Sequence, residues 1–280
     1  MSQTTVVTSR DNPLIQRLRK LSQDPGAYRK LGEIWLEGDH LCSACLARGV
    51  PVAVAVIADT AWLGEGGQGA SHDPQAVKLS DLARQARKVV VVQQALWTGF
   101  TGLESPAKLG FLVGAAELSG TDGGMIGSGL RTVVLDRLQD AGNVGSVLRS
   151  ASALGIEQVV ALKGTAALWS QKVLRAGMGA HFALRLVEQF EPAQLGQLNV
   201  PLIATSSHAD FSLHQAPLPD PCAWVMGHEG QGVAASVMAQ CAHTVSIPQP
   251  VSIPQPGGEE SLNVAAAAAV VLYESLRRRL

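Results

Sequence analysis

A chain of 280 residues with 46% hydrophobic and 16% charged residues is globular in composition and long enough for two ordinary domains, which excludes an extensively disordered protein. Four scattered cysteines exclude a secreted disulfide framework, and a formal net charge of −1 excludes a uniformly basic nucleic-acid wrapper. The polar opening Met1–Ser9 holds no signal-peptide core. The apolar run Val264–Leu272 is well short of the roughly 20 residues that span a bilayer, so a soluble, cytoplasmic protein without a membrane partner is expected.

In chain order, the first third reads as a small α/β unit. Asn12-Pro13 opens a helix whose apolar positions Leu14, Ile15, Leu18 and Leu21 recur at helical spacing. Basic residues gather here. Arg10, Arg17, Arg19, Lys20, Arg29 and Lys30 stand against Asp11 and Asp24, a local charge that is either a solvated helix face or a phosphate-binding face. A strand follows at Ile34–Gly38, then a helix over His40–Arg48 and a strand ending at Asp59. Cys42 and Cys45 fall inside that helix as a lone CxxC with no second pair or nearby histidines, so they read as core and no metal is expected. Gly64–Gly69 is a loop by composition, and strands follow at KVVVVQ and LGFLVG. Residues 116–129 hold five glycines and almost no periodicity, which marks an interdomain linker. The expected domains are therefore 1–115 and 130–280.

The second domain alternates strand and helix: RTVVLD, a helix after Gly142, QVVALKG, a helix over Gln171–Ala176, FALRLVE, VPLIATS, CAWVMG, HTVSIP and a final helix over about Ser261–Arg278. Short apolar runs separated by helices imply a parallel sheet covered on both faces, with ligands at the carboxyl ends of its strands. Three polar clusters fall at such ends. DAGNVGSVLRSASALG, Asp140–Gly155, puts Asn143 and Gly145 at a strand-to-helix turn and Arg149 further along the helix. Gly227-His228-Glu229-Gly230-Gln231-Gly232 turns sharply without the glycine spacing of a dinucleotide fingerprint or the Gly-Lys-Ser/Thr of a P-loop, which argues against a nucleotide-dependent dehydrogenase. In IPQPGGEESLNVAAAAAVVLYE, Ile253–Glu274, Ser261 is expected to cap the final helix, with Asn263 in its first turn.

In this order and spacing the three clusters resemble the SpoU-type (TrmH-like) RNA ribose 2′-O-methyltransferases of the SPOUT superfamily. The resemblance covers the whole second domain. It implies an α/β fold with a deep trefoil knot, S-adenosylmethionine as cofactor and a homodimer. By the same resemblance Arg149, Asn143, Glu229, Ser261 and Asn263 are the active-site positions, and Thr205, Gly227, Gly232, Ile247, Ile253 and Leu262 are the cofactor positions. SRDNPLIQRLRKL, Ser9–Leu21, resembles the ribosomal-protein-like substrate-binding domain of one branch of the family. That implies RNA contacts from Arg10, Arg17, Arg19 and Lys20, joined by Arg175 of the second domain, with rRNA expected before tRNA.

One departure stands out. VSIPQP occurs twice in tandem, at Val245–Pro250 and Val251–Pro256, where the family pattern has one copy. The two copies leave open whether Ile247 or Ile253 takes the cofactor position. They also motivate the alternative reading, an RNA-binding or ribosome-assembly factor whose methyltransferase activity is weak or lost.

Overall fold

The computed structural model describes residues 3–64, 73–102, 105–118, 125–206, 209, 211–249, 254–255, 258–259 and 262–280. The chain divides into two compact units, one of Met1–Gly123 with Trp169–Phe182, the other of Gly124–Leu168 with Ala183–Leu280.

The first unit carries β1 (Gln3–Val7), α1 (Pro13–Gln23), α2 (Ala27–Leu31), β2 (Glu33–Glu37), α3 (Asp39–Ala47), β3 (Val54–Ala58), α4 (Pro74–Arg84), β4 (Lys88–Val92), α5 (Gln94–Trp97), β5 (Leu109–Gly114) and α6 (Ala115–Leu118). Its sheet runs β1-β4-β3-β5-β2, with β1 and β3 parallel to β4 and β5 antiparallel to its neighbours. Asn12 caps α1 by accepting from the Leu14 amide at 2.9 Å, and Pro13 sits where no intrahelical donor is needed. Ile15, Leu18 and Leu21 are its buried face, as the spacing predicts. Cys42 and Cys45 are fully buried in α3. Burial pushes the Cys45 thiol up to about 12 and the Cys42 thiol well above its ordinary range, as suits core residues. Trp35, Trp97 and Phe100 pack against one another, and a Cβ on Gly110 would lie 2.1 Å from the Trp35 ring, so β5 needs a glycine there.

Two features depart from expectation. Residues Gln3–Val7, for which the sequence predicts no element, form the edge strand β1. The helix α8 (Gln171–Gly177), expected within the second domain, belongs to the first unit, where it packs on α1 and β2. Its buried Val173 and Leu174 supply the contact, and Gln171 Nε2 donates to the Trp35 carbonyl at 2.7 Å.

The second unit carries β6 (Thr132–Leu135), α7 (Ala141–Ala153), β7 (Gln158–Leu162), β8 (Arg185–Phe190), β9 (Leu202–Thr205), β10 (Phe211–Ser212), β11 (Ala223–Met226), α9 (Ala235–Met238), β12 (His243–Ser246), β13 (Pro254–Gln255), β14 (Gly258–Glu259) and α10 (Val264–Arg277). Its main sheet is parallel at every pairing, in the order β10-β12-β9-β11-β6-β7-β8. Val134, Val160, Leu202, Ala204, Ala223 and Val225 lie in one buried cluster, which is why these strands read as unbroken apolar runs. Because β6, β9, β11 and β12 are adjacent and parallel, Asp136, Thr205, Gly227 and Ile247 leave the sheet at the same edge.

The helix α10 packs along α7 and is held at its far end by Trp224 Nε1, which donates to Ser275 Oγ at 2.9 Å. Its cap is Asn263, whose Oδ1 accepts from the amides of Ala265 at 2.9 Å and Ala266 at 3.3 Å. This corrects the expectation that Ser261 is the cap and Asn263 lies inside the first turn. Asn is as good a capping residue as Ser, and it sits directly before the alanine run.

Candidate active site at the strand ends

The helix α7 begins at Asp140, whose Oδ1 accepts from the Asn143 amide at 2.7 Å. The Asn143 side chain is left free to bond elsewhere. Its Nδ2 donates to Glu229 Oε1 at 3.2 Å, while its Oδ1 accepts from Asn263 Nδ2 at 3.0 Å. Only one orientation of the Asn143 amide satisfies both bonds. Three residues from three separated motifs thus form one polar chain at the carboxyl edge of the sheet.

Glu229 also accepts from the amides of Asp140 at 3.1 Å and Gln139 at 3.3 Å. Burial works against its charged form, but these amides, the Asn143 side chain and its own backbone amide outweigh that, so the carboxyl lies below the ordinary glutamate range. Glu229 is therefore an acceptor-only group that pins the loop after β11 to the loop after β6.

The loop after β11 is folded back on itself. His228 and Gly232 exchange both backbone hydrogen bonds, at 3.0 and 2.8 Å, and His228 Nδ1 accepts from the amides of Gly230 at 3.0 Å and Gln231 at 3.3 Å. A Cβ on Gly227 would lie 2.3 Å from Gly232 C and Val233 N, so this close backbone approach requires glycine. Gly232 has φ +66°, again suited to glycine.

The other expected cofactor positions are set by the same edge. Thr205 ends β9 opposite Val245 of β12, and Ile247 follows β12 half-buried. Leu262, just before the α10 cap, is exposed. Ile253 and Ser261 lie outside the described residues. The first VSIPQP copy therefore begins within β12. In the second copy Pro254-Gln255 pairs antiparallel with Gly258-Glu259.

Arg149 is exposed on α7 and makes no hydrogen bond or ion pair among the described residues. Six residues beyond Asn143, it stands about 9 Å further along the helix and roughly 120° around it, so it does not join the Asn143–Glu229–Asn263 chain.

In the first unit, Arg19 Nε donates to the Gly99 carbonyl at 3.1 Å, and an Arg175 Nη1 lies 3.3 Å from where a Cβ on Gly102 would sit. Both side chains thus reach one loop, and a depression there is lined by Arg10, Arg19 and Gly99. Lys20 lies on the adjacent surface. Arg17 is directed elsewhere, paired with Glu33 at 3.1 Å.

Sequence reasoning missed Asp136 and Arg137, which follow β6. Asp136 is buried and Arg137 has φ 59°, a left-handed conformation that costs a non-glycine residue about 1–2 kcal/mol. An arginine in that conformation leaves no signature in a sequence. Among the described residues no group of three or more histidine, cysteine or acidic side chains is arranged to hold a metal, and no helix is long and apolar enough to cross a membrane.

Residues 131–273 match the SpoU rRNA Methylase family. A tRNA/rRNA methyltransferase of Synechocystis, itself uncharacterized, is 30% identical across 98% of this chain and 94% of its own length. The 23S rRNA (guanosine-2′-O-)-methyltransferase RlmB of Bordetella pertussis is 36% identical over 52% of this chain, a match that spans 59% of that relative. The SpoU methyltransferase AviRb of Streptomyces viridochromogenes, in complex with the cofactor AdoMet, shares the fold with a TM-score of 0.77 at 24% identity, over 96% of this chain and 98% of its own.

Proposed function

The chain belongs to the SpoU rRNA methylase family, and from that premise we propose that it methylates a ribose 2′-hydroxyl of structured RNA, rRNA before tRNA, in the cytoplasm. The observation that carries this reading is the meeting of Asn143, Glu229 and Asn263 in one hydrogen-bonded chain at the edge of the parallel sheet where ligands bind.

S-adenosylmethionine is the cofactor, and it supplies a methyl group already activated on a sulfonium. The residues at the sheet edge fit its adenosine. Gly227 lets the loop after β11 close tightly on itself, Gly232 has open space where a Cβ would stand, and the half-buried Ile247 follows β12 at the same sheet edge with β9 between. Thr205, Gly227, Gly232, Ile247 and Leu262 would hold it, Ile247 rather than Ile253 taking the apolar position, and Ser261 is carried over from the family as an active-site position.

What remains for the protein is to position two partners and to stabilise charge, while the hydroxyl proton leaves to solvent water. Positioning supplies roughly 7–11 kcal/mol in favourable cases. Glu229, ionised and held by two neighbouring backbone amides, fixes Asn143, and Asn143 fixes Asn263. Arg149 donates to the ribose oxygen as negative charge develops there and to the adjacent phosphate; a guanidinium stays protonated and is suited to that role rather than to removing a proton. Arg10, Arg19, Lys20 and Arg175 of the first unit contact RNA phosphates, and Arg17 contributes less because Glu33 engages it.

The C-terminal part carries the trefoil knot of its family. The return of α10 onto α7 supports that reading. The enzyme is a homodimer through α10, where Val270 and Tyr273 are 41% and 56% exposed one turn apart.

The test is the division of labour between binding and transfer. Titration calorimetry with S-adenosylmethionine gives equal affinity for the wild type and Arg149→Ala, while the variant transfers no methyl to RNA. Loss of cofactor binding in Arg149→Ala, or full transfer by it, contradicts the assignment.

A further inference from the structure

Asp136 is the one fully buried carboxylate at the sheet edge among the described residues, and its partners are unusual. Oδ1 accepts from Arg137 Nε at 3.0 Å, and Oδ2 accepts from Arg137 Nη2 at 3.3 Å and from the Ala234 amide at 2.6 Å. The carboxylate thus grips the guanidinium with both oxygens while holding the far end of the loop after β11.

The same guanidinium reaches that loop twice more. Nη1 donates to Gln231 Oε1 at 3.0 Å, and Nη2 donates to the Gly232 carbonyl at 3.3 Å. The Gly232 carbonyl is also the acceptor for the His228 amide, the bond that folds the loop on itself.

The backbone of Arg137 is fixed with equal care. Its amide donates to Thr165 Oγ1 at 3.1 Å, and that hydroxyl donates to the Leu135 carbonyl at 2.9 Å. Its stem lies over Gly164, where a Cβ would be 3.2 Å from Arg137 Cγ. The left-handed φ aims the side chain across the sheet edge toward the loop. An adopted strained conformation, a two-point grip on a buried acid and two further bonds to one loop together make a strap.

We propose that Arg137 is a positioning residue for the cofactor: it holds the loop 227–233 closed in its binding conformation before the cofactor arrives. This rests on the reading above that the loop holds S-adenosylmethionine. Arg137 touches neither reacting group. It acts by keeping the binding-competent loop populated, since a competent fraction that falls from near one to about a tenth raises the apparent Kd about tenfold.

A strap of this kind makes a specific demand on two residues at once. Arg137→Lys keeps a positive charge beside Asp136 but has no fork to reach Gln231 and Gly232 together. Gln231→Ala removes one arm of the strap at an exposed residue.

The experiment is a double-mutant cycle on the full chain. Kd for S-adenosylmethionine and for S-adenosylhomocysteine is measured by calorimetry on the wild type, Arg137→Lys, Gln231→Ala and the double variant, with Tm of each measured without ligand. The expected result is a Kd raised about tenfold by Arg137→Lys and about threefold or more by Gln231→Ala, with the double variant clearly short of the product, because both remove the same contact. Cofactor-free Tm of Gln231→Ala stays at the wild-type value. Kd within twofold of wild type in Arg137→Lys, or effects of the two substitutions that simply multiply, overturns the strap. Failure of the wild type itself to bind either compound overturns the cofactor reading instead.

Discussion

Asn263 does two jobs that can be separated. Asn263→Ala removes the α10 cap, worth about 0.5–2 kcal/mol, and also the amide bond to Asn143, worth about 1 kcal/mol. The sum, about 1.5–3 kcal/mol, corresponds to a Tm loss of roughly 3–12 °C for a unit of this size. Asn263→Asp keeps a capping oxygen for the Ala265 and Ala266 amides but has no Nδ2 to donate. It also turns a carboxylate toward Asn143 Oδ1, so the Asn143 amide must flip and lose its bond to Glu229. Differential scanning calorimetry and methyl transfer on both variants distinguish the two jobs. Asn263→Asp should lose less than half the Tm that Asn263→Ala loses, yet be as deficient in transfer. Equal Tm losses in the two variants, or full transfer by Asn263→Asp, would refute the account of this residue.

Three further outcomes follow from the same structure. Gly110→Ala drives a methyl into the buried Trp35 ring and should cost about 1–3 kcal/mol or more, read as a lower urea midpoint by tryptophan fluorescence; an unchanged midpoint contradicts the packing of β5. Hydrogen bonds from Arg277 and Arg278 hold the Glu274 carboxyl at about 2, below the ordinary 4.5. A depressed carboxylate stabilises the fold above its unfolded value and loses that contribution as pH falls from 4.5 toward 2, so Glu274→Gln should lower Tm at neutral pH and flatten the acid limb between those values. Deleting either VSIPQP copy yields the same sequence, so only substitution separates them: Ile247→Asp should raise the cofactor Kd about tenfold or more, while Ile253→Asp leaves it within about twofold. The reverse order assigns the pocket to the second copy.

The parallel sheet was legible because its strands are buried on both faces, so VVL after Thr132 and AWVM before Gly227 read as unbroken apolar runs. The edge strand β1 was not, since Val7 is buried while Val6 is 66% exposed, and one buried position carries no pattern. Chain order hid the placement of α8, because Val173 and Leu174 give an apolar face without saying which unit it covers. In the site, Asn143, Glu229 and Asn263 were singled out only through the family resemblance, and the bonds among them follow from geometry that spacing alone does not contain. Arg137 was illegible for a different reason. Its role comes from a backbone conformation that the sequence would assign to glycine.

The repeat was plain in the sequence, but its consequence depends on register. Val245 pairs with Thr205, which commits the first copy to β12 and leaves Pro254-Gln255 of the second to pair with Gly258-Glu259. That arrangement leaves the Asn143–Glu229–Asn263 chain closed despite the extra residues, which favours a working enzyme over an inactive RNA-binding factor.

The most direct measurement is transfer of labelled methyl from S-adenosylmethionine to unmodified rRNA and tRNA, followed by alkaline hydrolysis. A methylated 2′-oxygen blocks cleavage of the adjacent phosphodiester, so the account predicts label in an alkali-resistant dinucleotide, from rRNA in preference to tRNA. Label released entirely as mononucleotides, or no transfer by protein that binds RNA, contradicts it.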